Sequence, residues 1–124
     1  YDDYAHHPGE LHALLTTAKT LGYQRILCAF QPHTYSRTKA LFQEFVEELK
    51  LPDVAILMEI FAARETDTLG ISSKDLADAI PGALYCKTLD EVTAALRSLA
   101  REGDLILTVG AGDIYLAGEK LLVQ

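Results

Sequence analysis

The sequence has no excess of basic residues and no long hydrophobic run. Its 124 residues carry 18 acidic and 11 basic side chains, a formal net charge of −7, and no basic block. This balance argues against a general nucleic-acid or anionic-membrane surface. No run approaches the roughly 20 apolar residues of a membrane span, and no charged-then-apolar leader is present. We therefore expect no nucleic-acid or membrane partner, and any anionic ligand must be held at a local site.

Cysteine is scarce, and the common metal and phosphate motifs are absent. Cys28 and Cys86 lie far apart in apolar surroundings and form no C-x-x-C pair, so neither a disulfide nor a zinc site is expected. Reduced thiols in a cytoplasm are the default prediction. No G-x-x-x-x-G-K-[ST] sequence occurs, so the chain has no triphosphate-binding loop of its own. Because it begins at Tyr1 and its one methionine is Met58, we expect it to be part of a longer protein.

Apolar segments of strand type and helix type alternate along the chain. Nearly continuous apolar runs predict buried strands at 25–30, 54–58, 83–86 and 105–109, with a further strand ending at residue 3. Helical spacing predicts helices at 11–21, 41–49, 72–80, 88–99 and from 113 onward. At 49% hydrophobic, the chain can bury one core. The pattern predicts a single α/β domain over residues 1–124, Rossmann-like and three-layered, with a mostly parallel sheet and helices on both faces.

The chemically unusual residues all follow predicted strands. They fall in the segments 4–8, 31–38, 59–70 and 110–112. In parallel α/β sheets, ligands bind beyond the carboxyl ends of the strands, where these segments begin. The loop at 59–70 is longer than the roughly 2 to 6 residues usual for such connections, and long strand-to-helix loops tend to carry function. We therefore expect the four segments to meet at one rim of the sheet.

The segment D-D-Y-A-H-H-P, residues 2–8, is the densest in chemistry. Two acids, two imidazoles and a phenol favour a site, because buried polar groups need partners. Metal binding, acid–base catalysis, hydrogen bonding to a nucleotide and substrate, and a structural role in which histidine bonds backbone all stay open. His6 and His7 are adjacent and cannot share a helix face, so a metal would need partners such as His33 or Glu59.

Arg37 lies near the start of a predicted helix in F-Q-P-H-T-Y-S-R-T, residues 30–38. Thr34 or Ser36 can cap this helix, which leaves Arg37 in or beside its first turn. A cation there opposes the helix dipole by about 0.3–1 kcal/mol, and a nearby anion would reverse that cost. Arg37 and the helix-start amides could then hold a carboxylate or phosphate. The alternative is a solvated arginine that pairs with Glu44 or Glu65.

Two further segments give weaker signals. In G-A-G-D-I, residues 110–114, the strand-to-helix turn has the outline of a phosphate loop but lacks the third glycine of G-x-G-x-x-G. Its glycines could instead let backbone or a substrate approach closely. In E-I-F-A-A-R-E, residues 59–65, two acids and an arginine follow a strand, which fits a solvated salt-bridged loop at least as well as a direct role.

In this order, and over nearly the whole chain, the four motifs resemble the C-terminal domain of the Mur ligase family, in particular the ligases that add L-alanine to UDP-N-acetylmuramate. The resemblance implies a cytoplasmic bacterial enzyme of peptidoglycan synthesis. Its other two domains, which bind the UDP-sugar and ATP, would lie outside this chain. It implies ATP-dependent amide ligation through an acyl phosphate, with ATP and Mg²⁺ held mainly by the central domain. The isolated domain is then expected to be inactive, with no metal site and no catalytic residue of its own.

The resemblance also assigns residues to roles. Asp3 would lie near the ATP ribose. The residues assigned to L-alanine and the acyl phosphate are Tyr4, His6 and Arg37. The residues assigned to support of the site are His7, His33, Thr34, Gly110 and Gly112. Some family members carry a second arginine at the position of Thr34, so here Thr34 is expected to cap the helix while an arginine or lysine from another region supplies the charge.

Three rival functions stay open. A murein-tripeptide recycling ligase resembles the chain at residues 2–8, but we expect it to diverge at residues 30–38 because it selects a peptide rather than alanine. A metal-dependent hydrolase would use Asp3, His6, His7 and His33. A non-catalytic binding module is compatible with the absence of a triphosphate-binding loop.

Overall fold

The structure, a computed structural model, describes residues 7–110, residue 114 and the backbone of residues 2–3. Strands and helices alternate along this part of the chain. The strands are β1 (Asp2–Asp3), β2 (Arg25–Phe30), β3 (Val54–Met58), β4 (Leu84–Cys86) and β5 (Asp104–Val109). The helices are α1 (Pro8–Lys19), α2 (Tyr35–Ala40), α3 (Phe42–Glu48), α4 (Ser73–Ala79) and α5 (Leu89–Leu99). The helix predicted from residue 113 lies outside the described residues.

The five strands form one sheet in the order β1-β5-β2-β3-β4, and each described pair is parallel. One lateral row of paired residues crosses the whole sheet near the carboxyl ends of the strands. The row consists of Asp3, Val109, Phe30, Leu57 and Tyr85. Segments that leave the sheet just after this row must start at the same rim. The predicted common rim is thus confirmed for the segments at 31–38 and 59–70 and for Gly110.

Helices cover both faces of the sheet. On one face α1, α3 and α4 pack on β2, β3 and β5, and the largest buried side chains there include Leu11, Leu15, Phe30, Phe45, Leu57 and Leu76. On the other face α5 packs Val92 and Leu96 against Leu27, Ala29 and Ile56, and Ile114 joins this cluster. Burying such a side chain contributes about 1.5–3 kcal/mol. Strands buried on both faces have no polar alternation, which explains their continuous apolar sequence and confirms the predicted fold class.

Capping side chains set several helix boundaries. Ser72 caps the start of α4, and Thr88 caps the start of α5. Each belongs to a capping box, in which the acidic side chain three residues later accepts a hydrogen bond from the backbone amide of the capping residue. The sequence predicts one helix, marked by apolar residues at 41–49 and capped by Thr34 or Ser36, and the expectation of a single helix is wrong. Leu41 has φ −112° and ψ 21°, outside the helical range, and it divides the segment into α2 and α3.

Most other boundaries differ from prediction by one or two residues, and the first helix begins at Pro8, three residues before position 11. The first helix ends at Lys19 instead of residue 21, β4 begins one residue later and β5 one residue earlier than predicted. Cys28 and Cys86 are free and buried, as expected of inert thiols, and burial raises the pKa of Cys28 to about 12. None of the helices in the described residues is long and apolar enough to cross a membrane.

Candidate functional site

Two of the four motifs lie side by side beyond the carboxyl ends of β2 and β3. The Thr34 amide donates to the Phe61 carbonyl at 2.8 Å, and the Phe61 amide donates to the Pro32 carbonyl at 2.9 Å. His33 and Phe61 form an isolated parallel bridge, and their rings stack with centroids 5.6 Å apart. The parallel pairing of the sheet is thus continued outward by loop backbone. The segments 30–38 and 59–65 therefore form one continuous surface at the rim.

Thr34 caps α2, as the sequence predicts. Its hydroxyl accepts a hydrogen bond from the Arg37 amide at 3.3 Å, which places Arg37 in the first helical turn. Thr34 has φ 67° and ψ 145°, a conformation that costs a β-branched residue about 1–3 kcal/mol. Its amide is held by Phe61, and its carbonyl accepts from the Thr38 hydroxyl at 2.7 Å. Neighbouring hydrogen bonds therefore hold a strained residue at the entrance to the helix.

The guanidinium of Arg37 lies 3.1 Å from Nδ1 of His33. Arginine only donates hydrogen bonds, so this contact requires the histidine tautomer in which Nδ1 accepts. Within the described residues no carboxylate pairs with Arg37: Glu44 makes no such contact, and Glu65 binds backbone instead. The alternative of an arginine paired with one of these two glutamates is therefore wrong. A half-buried cation without a carboxylate partner among the described residues is suited to bind an anionic group.

Glu65 occupies the backbone donors at the start of α2. Its carboxylate accepts from the Tyr35 amide and from the Ser36 amide, at 3.2 and 3.3 Å for the latter. The hydrogen bond with Ser36 is the main cause that lowers the pKa of Glu65. With Thr34 taking the Arg37 amide, these three donors are all satisfied within the chain. The expectation that helix-start amides join Arg37 in binding an anion is therefore wrong, and the guanidinium must supply that contact.

Glu59, the other acid of the 59–65 motif, ties β3 to α4. Its carboxylate accepts from the amides of Ile60 and Ser73 at 2.9 and 3.0 Å, from the Ser72 hydroxyl at 3.2 Å and from the Tyr85 hydroxyl at 2.6 Å. Partial burial raises the pKa of Glu59, but these hydrogen bonds outweigh it and hold the pKa below its usual range. The same contact raises the pKa of Tyr85 to about 12. Glu59 and Glu65 thus cap helices, and neither takes part in a salt-bridged loop.

Gln31 and Gly110 meet where β2 and β5 end. The Gln31 amide donates to the Val109 carbonyl at 2.9 Å, which extends the β2–β5 pairing by one residue. Gly110 has φ +149°, and a Cβ there would lie 2.8 Å from the Gln31 carbonyl oxygen. This glycine therefore permits a close backbone approach, one of the two roles that the sequence leaves open for it.

Gln31 was not among the residues predicted from the sequence. The residue is only 6% exposed, and its Nε2 donates to the Glu59 carbonyl at 3.2 Å. Its Oε1 is buried and has no hydrogen-bond partner among the described residues. A glutamine directly after an apolar run carries no local signal, since its surroundings come from residues distant in sequence.

The remaining assigned residues are described in part. His7 begins α1, and its Nδ1 accepts from the Gly9 amide at 3.2 Å, a backbone-capping role that leaves its support of the site a prediction. The backbone of Asp3 ends β1 beside Val109. Tyr4, His6 and Gly112 lie outside the described residues. Within those residues no group of three histidine, cysteine or acidic side chains could hold a metal.

These observations define a three-layer α/β domain whose loops form a cation-bearing rim at the carboxyl ends of a parallel sheet. The family model described as "Mur ligase, glutamate ligase domain" matches residues 1–112. The chain therefore belongs to the Mur ligase family.

The chain is similar to proteins named UDP-N-acetylmuramate–L-alanine ligase. It is 52% identical to one from Caldanaerobacter subterraneus over 99% of this chain, and 49% identical to one from Lachnospira eligens over 98%. It spans only 28% and 27% of the length of these relatives.

Solved structures show the same fold. A UDP-N-acetylmuramate-alanine ligase from Thermotoga maritima superposes with a TM-score of 0.71 at 27% identity, over 96% of this chain and 24% of that one. A domain ascribed to a UDP-N-acetylmuramate:L-alanyl-γ-D-glutamyl-meso-diaminopimelate ligase from Haemophilus ducreyi gives 0.73 at 22% identity, over 98% of this chain and 86% of that one.

We predict that Gly110→Ala destabilises the chain more than Gly22→Ala. Both glycines have positive φ, but a Cβ at Gly22 meets nothing within 4 Å, whereas one at Gly110 meets the Gln31 carbonyl. The shared backbone strain is about 1–3 kcal/mol, and the clash at Gly110 should add about 1–3 kcal/mol. Denaturant unfolding of the two variants measures the difference. Equal losses in the free energy of unfolding would mean that the backbone at Gln31 shifts to accept the Cβ at no energetic cost.

We predict that Glu65→Gln lowers the free energy of unfolding at neutral pH. Because the folded-state pKa of Glu65 is lowered, its stabilisation is present above the ordinary glutamate pKa of about 4.3 and is lost as pH falls through the folded-state value. The difference between wild type and variant should therefore shrink in acid. Unfolding curves from pH 7 to pH 3 test this, with exposed Glu102→Gln as the control. A difference that is independent of pH would contradict a charge-dependent cap.

Proposed function

We propose that the chain, residues 1–124, is the C-terminal domain of an ATP-dependent ligase that joins L-alanine to UDP-N-acetylmuramate. The observation that carries the proposal is Arg37, held at the rim by Thr34 and Glu65 and paired with no carboxylate of the described residues. The names of the relatives that share about half of their aligned residues with this chain support the same reaction. Two further domains, for the UDP-sugar and for ATP, would belong to the same protein in the bacterial cytoplasm.

In this proposal Arg37 binds the carboxylate of L-alanine or offsets phosphate charge. A guanidinium can contact a carboxylate with two parallel hydrogen bonds, which fixes its orientation as well as its position. His33 accepts one N–H of Arg37 and restricts the guanidinium without neutralising it. Tyr4 and His6 would face the amino acid and acyl phosphate, and Asp3 would lie near the ATP ribose. A basic residue of another region would add the second charge.

The proposed chemistry proceeds through an acyl phosphate. The muramoyl carboxylate attacks the γ-phosphorus of ATP, and ADP leaves. The neutral amine of L-alanine then attacks the acyl carbon, the C–N bond forms, and inorganic phosphate leaves as the amine loses a proton. This domain contributes binding and orientation, which for bimolecular steps supply much of the rate enhancement. Mg²⁺ and ATP would be held mainly by the central domain.

A tripeptide-adding ligase is the second candidate. The Haemophilus ducreyi domain has the same fold at 22% identity, so the fold alone does not distinguish the two acceptors. The segment 30–38 favours alanine, because it holds Arg37 at the rim as a contact for a small carboxylate.

The decisive experiment measures ADP release by the full-length parent protein with UDP-N-acetylmuramate. L-alanine, glycine, L-serine and the tripeptide are compared as acceptors. We expect L-alanine to give the highest kcat/KM, and the 124-residue chain alone to release no ADP. A preference for the tripeptide would favour the recycling ligase, and ligation by the isolated chain would contradict the division of labour among domains.

We predict that Arg37→Ala in the parent weakens the use of L-alanine by about 2–4 kcal/mol in kcat/KM, because it removes a desolvated charged partner. Arg37→Lys should recover part of this loss, since it keeps the charge but not the two-pronged geometry. Arg101→Ala, an exposed arginine just before β5, is the matched control and should leave kcat/KM unchanged. If Arg37→Ala behaves like the control, Arg37 has no part in binding alanine.

A further inference from the structure

Gln31 Oε1 is a buried acceptor without a hydrogen-bond partner in the part of the rim that the structure describes. Glu59 accepts four hydrogen bonds and Glu65 is bound to the start of α2, so both carboxylates are already engaged. Of these three side chains, only Gln31 keeps an acceptor without a donor. Leaving a buried acceptor unpaired costs about 1–3 kcal/mol, so such an atom requires an explanation.

The orientation of the Gln31 amide is fixed. Nε2 donates to the Glu59 carbonyl at 3.2 Å, and turning the amide over would place two oxygens against each other. Oε1 must therefore point away from the Glu59 carbonyl. The residue is 6% exposed, and its side chain cannot turn out to water without breaking its bond to Glu59.

Gln31 also lies at a favourable place in the topology. The segment after β2 runs to the face covered by α1, α3 and α4, whereas Ile114, after β5, belongs to the cluster on the α5 face. Neighbouring strands whose connections leave to opposite faces create a crevice at their carboxyl ends, where ligands bind in open α/β sheets. Gln31 and Gly110 are the first residues beyond β2 and β5, and their backbones are in contact at the base of this crevice.

We propose that Gln31 Oε1 accepts a hydrogen bond from the amine of the amino acid whose carboxylate Arg37 binds. The assignment rests on the proposed function. An amino acid presents an anion and an N–H donor on neighbouring atoms, and the rim offers a cation and an unpaired acceptor on one short segment, 31–37. An N–H held by Oε1 would leave the nitrogen lone pair of the neutral amine directed elsewhere, towards the acyl carbon.

The inference predicts that substitutions of Gln31 and of Arg37 have different effects on the binding of L-alanine and propionate. Binding of L-alanine uses both groups, whereas propionate has the carboxylate and methyl group but no amine. Removing the acceptor should therefore weaken L-alanine alone, and removing the cation should weaken both ligands. A site built to bind an N–H also discriminates strongly against a ligand that lacks it.

The test uses the full-length parent and the variants Gln31→Met and Arg37→Ala. Gln31→Met keeps the length of the side chain and removes the oxygen. We expect it to raise the KM for L-alanine about 10- to 100-fold and to leave the inhibition constant of propionate unchanged. Arg37→Ala should raise both. Equal changes for the two ligands in Gln31→Met, or no change in either, would overturn the inference.

A second measurement needs no variant. In the ¹⁵N-labelled parent, the side-chain amide signal of Gln31 should shift on adding L-alanine and stay in place on adding propionate. If Gln31→Met does not fold, this response alone decides, and an unchanged signal with L-alanine rules the contact out. Failure of the proposed function is distinguishable, because the parent would then show no ADP release with L-alanine, whatever happens at Gln31.

Discussion

The bond between the Glu65 carboxylate and the start of α2 is the contact on which the arrangement of the rim depends. Six residues are too few for a helix that is stable on its own, and this one starts from a strained Thr34 with Arg37 in its first turn. A cation there opposes the helix dipole. The carboxylate of Glu65 offsets that cost by binding the backbone amides of Tyr35 and Ser36. The guanidinium is thus left without a carboxylate partner among the described residues. The chain thereby stabilises the helix and keeps the charge of Arg37 available.

Glu59 attaches the other end of the segment 59–65 to regular structure, as Glu65 does at its own end. It joins the end of β3 to the start of α4 and to Tyr85 on β4, while its carbonyl accepts from Gln31. The segment between the two glutamates is thus attached at both ends to regular structure. Strand-to-helix loops are ordinarily the mobile part of such a fold. Here attachment reduces the entropy lost when a ligand is bound, which is how preorganisation increases affinity.

The parts of the fold that sequence patterns predict are those set by neighbouring residues. Strands buried on both faces show as apolar runs, and the strands at 25–30 and 54–58 are correct to the residue. Caps such as Ser72 and Thr88 act within three residues and are equally visible. Leu41 is different, because an apolar residue with helical spacing gives no sign that its backbone leaves the helix. Packing around it, rather than local preference, divides the segment.

The candidate site could be predicted only in part for the same reason. The place of Arg37 near a predicted helix start and the family resemblance both singled it out, but Glu65 and Tyr35 are 30 residues apart, and nothing local indicates that their bond removes the amide donors of α2. Gln31 was overlooked, since its unpaired oxygen results from three strands meeting. Both features depend on contacts between segments that are distant in sequence. The lateral row of paired residues brings these segments together by aligning the strand ends.

The charge of the domain limits what its rim can do alone. With a net charge of −7, the surface as a whole repels anionic nucleotides, and screening confines any favourable field to about 8–10 Å in physiological salt. Arg37 therefore acts on a group in direct contact with it and adds little to the capture of a distant anion. A small zwitterion suits such a rim, because it has no net charge for the acidic domain to repel. Its carboxylate and amine can contact a cation and an acceptor of the same segment. Anionic substrates need positive groups from elsewhere, which agrees with the proposal that other domains bind the UDP-sugar and ATP.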